Sequence, residues 1–409
     1  MPLRRPALGF IFVTLFLDIL GLGLIIPILP KLIVELQGGN VAAGAHTVGL
    51  LGALYALMQF LFAPVLGGLS DRFGRRPVIL TSLFGSGVDY LVLAFAPTLA
   101  WFYVARAVLG ITNANITAAT AYIADISPPE KRAANFGLIG AAFGLGFVAG
   151  PALGGLLGNQ DLRLPFFVAA GLSLANWLYG WFVLPESLPP ANRRRFSWAR
   201  ANPVSSLAAL RHRPIVFGLA VSFFLLNLAN FGLHATWVLY TGYRYGWTPG
   251  QVGVSLAIVG LMAAIVQGGL ARRIIPALGE PLSLKAGLLI AAISFAGYGL
   301  ATEGWMIYAI LAVGSFSGIA GPAAQGLVSR HTPDNEQGAV QGALTGLSSV
   351  AGFIAPLMAT GLFAWGVRPE RTMPLPGAPF FLGALFILAS LAVAWGTLAK
   401  HPQGRAGAD

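Results

Sequence analysis

A chain of 409 residues that is 56% hydrophobic and 10% charged is not a soluble globular domain, because apolar runs long enough to span a bilayer recur from end to end. The net charge of +11 would suggest nucleic acid in a soluble protein, but here the cations cluster between the apolar runs, so no nucleic-acid partner is expected. With no cysteine, disulfides, thiol catalysis and cysteine-ligated metal are excluded, and the five histidines show no paired ligand spacing.

Twelve spans are predicted, at residues 8–34, 47–69, 78–96, 99–124, 134–157, 164–184, 214–240, 250–272, 283–301, 305–329, 338–363 and 378–399. The opening MPLRRPALGF enters the first span without a small-residue cleavage site and reads as a retained helix, not a signal peptide. An even number of spans places both termini on one side. Arg4, Arg5, Arg72, Arg75, Arg76, Lys131, Arg132, Arg193, Arg194, Arg195, Arg200, Arg211, Arg213, Arg272, Arg273, Lys285, Arg330, Lys400 and Arg405 fall on that side, which the positive-inside rule makes cytoplasmic.

Asp18 lies about 15 Å into the first span at helical rise. A charge there costs on the order of 3 kcal/mol, so it needs a reason. It opens LDILGLGLIIPILP, where Gly21 and Gly23 allow close packing or bending and Pro27 and Pro30 break the helix. A titratable group at a flexible point near the midplane is where a proton site is expected.

Between the second and third spans, Gly67–Ile79 reads GGLSDRFGRRPVI. Asp71 is the only acid amid Arg72, Arg75 and Arg76, Gly74 permits a tight reversal, and Pro77 suits a first helical turn. Read plainly, this is a positively charged turn that sets topology. The spacing of Gly67, Leu69, Asp71, Arg72, Gly74, Arg75, Arg76 and Ile79 also resembles the signature loop between helices 2 and 3 of the major facilitator superfamily. The resemblance implies a conformational latch of Asp71, Arg72, Gly74, Arg75 and Arg76.

Asp89 lies at similar depth in the third span, and Arg106 lies in the fourth. The two either form a fixed charge-neutralising pair or serve proton movement. Arg106, Gly110 and the small residues after it resemble the superfamily's second motif, a membrane-embedded arginine associated with proton transfer. Asn113, Asn115 and Thr117 follow, as helix–helix contacts or as substrate contacts, and Asp125 at the end of the span is expected to join the Asp71 network or meet solvent. The fifth span contains GLGFVAGPALGG, in which Gly146, Gly150, Pro151, Gly154 and Gly155 strip one helix face of side chains so that another backbone can lie on it. This pattern resembles the antiporter motif of drug exporters.

Pro185–Arg213 is rich in Pro and Arg and reads as a cytoplasmic linker. A shift of 205 residues carries Gly74 onto Gly279, Pro128 onto Pro333 and Pro151 onto Pro356, and a shift of 204 carries Val48-Gly49 onto Val252-Gly253 and Leu57-Met58 onto Leu261-Met262. The second copy of the signature loop reads as degraded, with Pro276 at the position of Asp71, so the first half carries the better-marked machinery. The expected fold is therefore an all-α membrane protein of twelve transmembrane helices in two pseudo-symmetric six-helix bundles, residues 1–184 and 214–409, joined by residues 185–213.

Gln59, Asn176, Asn227, Asn230, His234, Gln267, Gln325 and Gln341 are the remaining polar residues within spans. Taken singly, each reads as an interhelical hydrogen-bonding group. Taken together, Gln59, Asn113, Asn115, Asn227, Asn230, His234, Gln267 and Gln325, with Phe223, Phe231, Trp237 and Tyr240, would line an amphipathic substrate cavity.

The segments LDILGLGLIIPILP, LGALYALMQFLFAPVLGGLSDRFGRRPV, VDYLVLAF and GAAFGLGFVAGPALGG resemble the tetracycline-resistance exporter group of twelve-helix drug:proton antiporters. Weaker likeness, in TWVLYTGYRYGW, TEGW and PAAQGLVS, extends it to nearly the whole chain. The resemblance implies export of tetracycline as a divalent-metal chelate, with Mg2+ for instance, in exchange for protons. Asp18, Asp89 and Arg106 would serve proton coupling, and Asp71 would carry over as the latch. The expected protein is a monomer in the bacterial cytoplasmic membrane, with no cofactor, no resident metal and no catalytic residue. Ala263 and Ala291 depart from the group, which has histidine and aspartate at those positions. A broad multidrug or metabolite exporter on the same scaffold is the alternative reading, and an uptake symporter or inert scaffold is a third. An enzyme is not expected, for no nucleophile–base constellation is present.

Overall fold

The computed structural model describes residues 8–112, 115–128, 132–193, 213–333 and 336–400. Arg4, Arg5, Asn113, Lys131, Arg194, Arg195, Arg200, Arg211 and Arg405 lie outside the described residues. The spans are α1 (Leu8–Leu36), α2 (Val41–Phe73), α3 (Arg75–Phe95), α4 (Leu99–Thr112 and Asn115–Ile126), α5 (Arg132–Gly158), α6 (Leu164–Val183), α7 (Pro214–Tyr245), α8 (Pro249–Leu278), α9 (Glu280–Leu300), α10 (Gly304–Arg330), α11 (Gln337–Gly366) and α12 (Ala378–Lys400). Among the described residues, eleven helices are long and apolar enough to cross a membrane, and Leu99–Thr112 is a shorter apolar helix.

Local chemistry sets the ends. α1 pauses after Ile25 and resumes at Leu29, where Pro27 and Pro30 interrupt its ladder. α3 starts at Arg75, earlier than hydropathy alone suggests, because one glycine makes the whole reversal: Gly74 holds φ 109° and ψ 162°, a conformation that glycine adopts without strain. At its other end, Arg163 donates to the Ala94 and Ala96 carbonyls at 2.7 and 2.9 Å, capping α3 at its C-terminus.

The chain divides into two compact units. One comprises Met1–Asn40, Leu54–Asn202 and Trp247–Leu261, thus α1, the later part of α2, α3 to α6 and the start of α8. Its core packs Ile11, Leu15, Ile19, Ile79, Leu83, Tyr122 and Ile123, and Asn176 donates to the Thr14 carbonyl at 2.8 Å. The other comprises Val41–Ala53, Pro203–Gly246 and Met262–Asp409. Its core packs Leu284, Leu288, Phe295, Leu327, Leu344 and Ile387, with the Ser222 and Ser390 hydroxyls 2.7 Å apart. Large apolar side chains such as Phe95, Val104, Phe182, Ile293, Leu300 and Trp305 stay exposed, as a surface solvated by lipid requires.

Each unit contains one pairing that the internal repeat anticipates by position. In the first, a Cβ on Gly253 of α8 would collide with the Pro151 carbonyl oxygen of α5. In the second, a Cβ on Gly49 of α2 would lie 3.2 Å from the Pro356 carbonyl oxygen of α11. Gly49 and Gly253, like Pro151 and Pro356, are repeat mates, so the same glycine-on-proline contact is built twice.

Candidate functional site

The loop after α2 is organised by Arg75. Its side chain is buried and donates to Asp71 Oδ1 at 2.6 Å, Ser70 Oγ at 3.1 Å and Asp125 Oδ2 at 3.1 Å, joining the ends of α2, α3 and α4. Arginine suits this node because its planar fork offers several donors at fixed angles. Glu186, just past α6, accepts the Arg75 and Arg76 backbone N–H groups at 2.9 and 3.3 Å, as well as those of Ser187 and Leu188 at 3.0 Å each. Its carboxylate thus satisfies donors left open at the first turn of α3 and meets the positive end of the helix dipole. Arg76 donates to the Trp181 carbonyl at 2.5 Å, and Arg72 lies 5.0 Å from the centre of the Phe73 ring. Sequence reasoning placed Glu186 in the linker and missed its role. The available signal was an isolated acid directly after a span, opposite a helix that begins with two arginines.

The glycines of α5 seat two helices. Cβ atoms on Gly146 and Gly150 would come 2.8 Å from Ile19 Cγ2 and 2.7 Å from Gly23 Cα, and one on Gly154 would overlap Leu24, all three neighbours being on α1. Gly23 itself lies against Gly150 and Pro151. On the other side, Gly155 and Pro151 receive Pro249 and Gly253 of α8, and Asn159 Oδ1 accepts the Gly250 N–H at 3.0 Å. Two backbones therefore run in van der Waals contact with α5, an approach that any side chain would block.

Asp89 and Arg106 are 4% and 8% exposed, yet neither Asp89 carboxylate oxygen has a hydrogen-bond partner, and neither do Nε and Nη2 of Arg106. The two therefore share no hydrogen bond, although the Arg106 charge is felt at the Asp89 carboxylate. Asp18, Asp89, Arg106 and the Tyr55 hydroxyl are all close enough to act electrostatically on the buried Tyr90 hydroxyl, so α1, α2, α3 and α4 bring one cluster together. Tyr90 also packs beside Gly21, whose Cβ would lie 3.7 Å from Tyr90 Cε2. Tyr55 and Tyr90 were missed in the sequence because a tyrosine within an apolar span carries no signal by itself.

The polar residues expected to line a cavity are distributed between the two units. In the first, Gln59 donates to the Tyr55 hydroxyl at 3.3 Å, and Asn115 begins the second part of α4. In the second, Asn227 donates to the Phe223 carbonyl at 2.8 Å and accepts from Ser348 at 3.2 Å, while Asn230 donates to the Leu226 carbonyl at 2.9 Å. These two amides are engaged in helix contacts. His234, Gln267 and Gln325 are exposed. Gln267 sits in a π-helical turn of α8, Ala264–Leu270, and lies against Gly318 in the 3-10 turn Ser315–Ile319 of α10. Such irregular turns inside helices often mark functional positions.

Residues 11–356 match the model of the Major Facilitator Superfamily. The chain belongs to that superfamily. It is 42% identical over 358 residues to the tetracycline resistance protein, class C, of Escherichia coli, covering 88% of this chain and 90% of that one. To the class B protein of Escherichia coli it is 38% identical over 348 residues, covering 85% and 86%. The crystal structure of the human organic anion transporter MFSD10 (TETRAN) superposes with a TM-score of 0.70 at 27% identity, over 96% of this chain and 100% of that one.

Within this superfamily member, the second copy of the signature loop is less degraded than its sequence suggests. Gly279 repeats the positive φ of Gly74, at 78°, and Arg330 Nη2 lies 3.2 Å from Glu280 Oε1. Pro276 does stand where Asp71 has its counterpart, inside α8. Ala291 is buried in the core between Leu288 and Phe295, and Ala263 ends the regular part of α8 before the π turn.

Proposed function

We propose that this superfamily member exports tetracycline from the cytoplasm in exchange for protons, the drug travelling as a chelate with a divalent metal such as Mg2+. The observation that carries the proton half of this reading is the buried Asp89 carboxylate with no hydrogen-bond partner, in one electrostatic cluster with Asp18, Arg106 and Tyr90. A buried acid held by a fixed partner has its protonation state set once; one without such a partner can exchange a proton as its surroundings alternate. Likeness to tetracycline resistance proteins over most of the chain supports the drug half. In this reading the protein works as a monomer in the cytoplasmic membrane of a bacterium, with both termini inside. Two bundles, residues 1–184 and 214–409, alternate about the substrate, and the Asp71–Arg75–Asp125 node holds one of the two arrangements. Among the described side chains, Gln59, His234, Gln267 and Gln325 are the ones proposed to contact the drug.

A second reading, a broader exporter with a different ligand, draws on Ala263 and Ala291, which remove two ionisable side chains from the C-terminal half. One experiment separates the two. Tetracycline-susceptible cells expressing the wild type, Asp89→Asn or Ala291→Asp are challenged with tetracycline and with chemically unrelated drugs. Resistance to tetracycline that Asp89→Asn abolishes supports the first reading. Resistance to unrelated drugs with none to tetracycline supports the second.

A further inference from the structure

We infer that Glu280 and Arg330 form a second positioning pair for transport, the C-terminal counterpart of Arg75 and Asp125 with the charges exchanged. A shift of 205 residues takes Gly74 to Gly279, Arg75 to Glu280 and Asp125 to Arg330. Both glycines precede a 21-residue helix with matching backbone angles, φ 109° and ψ 162° in the first and φ 78° and ψ 154° in the second. In the first repeat, Arg75 Nε lies 3.1 Å from Asp125 Oδ2; in the second, Arg330 Nη2 lies 3.2 Å from Glu280 Oε1. Position, backbone conformation and ion pair all recur, although neither charged residue keeps its identity. A search for repeated residues passes over such a pair.

The exchange of sign has a physical reason at the helix end. The first turn of a helix presents open N–H groups and the positive end of its dipole, so it favours an anion. Arg75 carries the wrong sign there, and Glu186 supplies the missing carboxylate through the Arg75 and Arg76 N–H groups. Glu280 is itself the acid of the first turn of α9, so one side chain meets the dipole and ties down α10. Its carboxylate is seated close to α10: a Cβ on Gly326 would lie 2.5 Å from Glu280 Oε1. The Glu280 side chain is 15% exposed and that of Arg330 is 66% exposed, so the acid is the buried partner.

The tie falls at a place where it restrains movement. Ala320–Arg330 follows the 3-10 turn Ser315–Ile319 within α10, and that turn is the natural pivot for the stretch beyond it. Fastening Arg330 to the start of α9 joins α9 and the end of this stretch. Neither member of the pair is assigned a substrate contact, so its loss slows turnover and leaves KM in place. The inference rests on the transport reading above, and the test keeps the two separable.

Wild type, Glu280→Gln, Arg330→Gln, Glu280→Arg and the reversed double variant Glu280→Arg/Arg330→Glu are purified and reconstituted. Tetracycline uptake is measured against a fixed pH gradient, and backbone amide exchange is followed over residues 325–330. Each neutralising variant should lose about fivefold in turnover at unchanged KM, the equivalent of ~1 kcal/mol for such a pair at 1.36 kcal/mol per decade. Exchange over 325–330 should quicken in the same variants. The double variant should recover most of both quantities relative to Glu280→Arg alone. Wild-type turnover in the neutralised variants, or a double variant no better than Glu280→Arg, overturns the inference. If the wild type moves no tetracycline, the transport reading fails, and the exchange data still decide whether the pair holds α10.

Discussion

Replacing Gly150 with alanine should force α1 away from α5. The added methyl would stand 2.7 Å from Gly23 Cα and 2.9 Å from the Leu20 carbonyl oxygen. Carbon atoms rest at about 3.5–4.0 Å, so the two helices must separate by roughly 0.8 Å or more. Both neighbours are backbone atoms, and no change of rotamer relieves the clash. Overpacking of this kind costs about 1–3 kcal/mol. Gly144→Ala on the same helix is the control, since a Cβ there meets nothing within 4 Å. Alanine in a helix interior is otherwise preferred over glycine by about 1 kcal/mol, so the control should be neutral or slightly more stable. Thermal unfolding of the two purified variants in the same detergent reads the difference, with Gly150→Ala melting below the wild type and Gly144→Ala at or above it. Equal midpoints for the two would refute the claim that this seam is close-packed backbone on backbone.

Glu186→Ala removes the acceptor of four backbone N–H groups at 2.9–3.3 Å and should destabilise the start of α3 by about 1–2 kcal/mol, as loss of a helix cap does. Amide exchange at Arg75 and Arg76 should quicken accordingly; unchanged protection would place the cap elsewhere. Arg163→Ala strips the Ala94 and Ala96 carbonyls of their donor at the other end of α3 and should cost about 1 kcal/mol in the unfolding midpoint. It should leave tetracycline turnover at the wild-type value, because Arg163 belongs to neither the acid cluster nor the Arg75 node; a loss of turnover at full stability would give it a functional part.

Much of this architecture was legible in the residues. The spans follow from hydropathy, and the antiporter-like seam follows from Gly146, Gly150, Pro151, Gly154 and Gly155, because bare helix faces have a single structural use. What the sequence hid were partnerships whose members are far apart and individually ordinary. Glu186 looks like a linker acid until α6 delivers it to the first turn of α3. Glu280 and Arg330 look unrelated to Arg75 and Asp125 because an ion pair survives exchange of its charges while sequence similarity does not. Asn227 and Asn230 could not be told from ligand contacts by composition, since an amide within a span bonds its own helix or a substrate with the same atoms. Tyr90 is an aromatic residue like many others until its hydroxyl is found within electrostatic reach of Asp18, Asp89, Arg106 and Tyr55.

The central claim, that drug and protons move in opposite directions through this chain, is tested most directly in everted membrane vesicles with an acidic interior and a pH-sensitive dye. Adding tetracycline with Mg2+ at the outer face should release protons from vesicles containing the wild type. Vesicles containing Asp18→Asn or Asp89→Asn should show no such release, although drug binding persists. Tetracycline uptake that continues at an unchanged rate after both the pH gradient and the membrane potential have been collapsed would contradict the account.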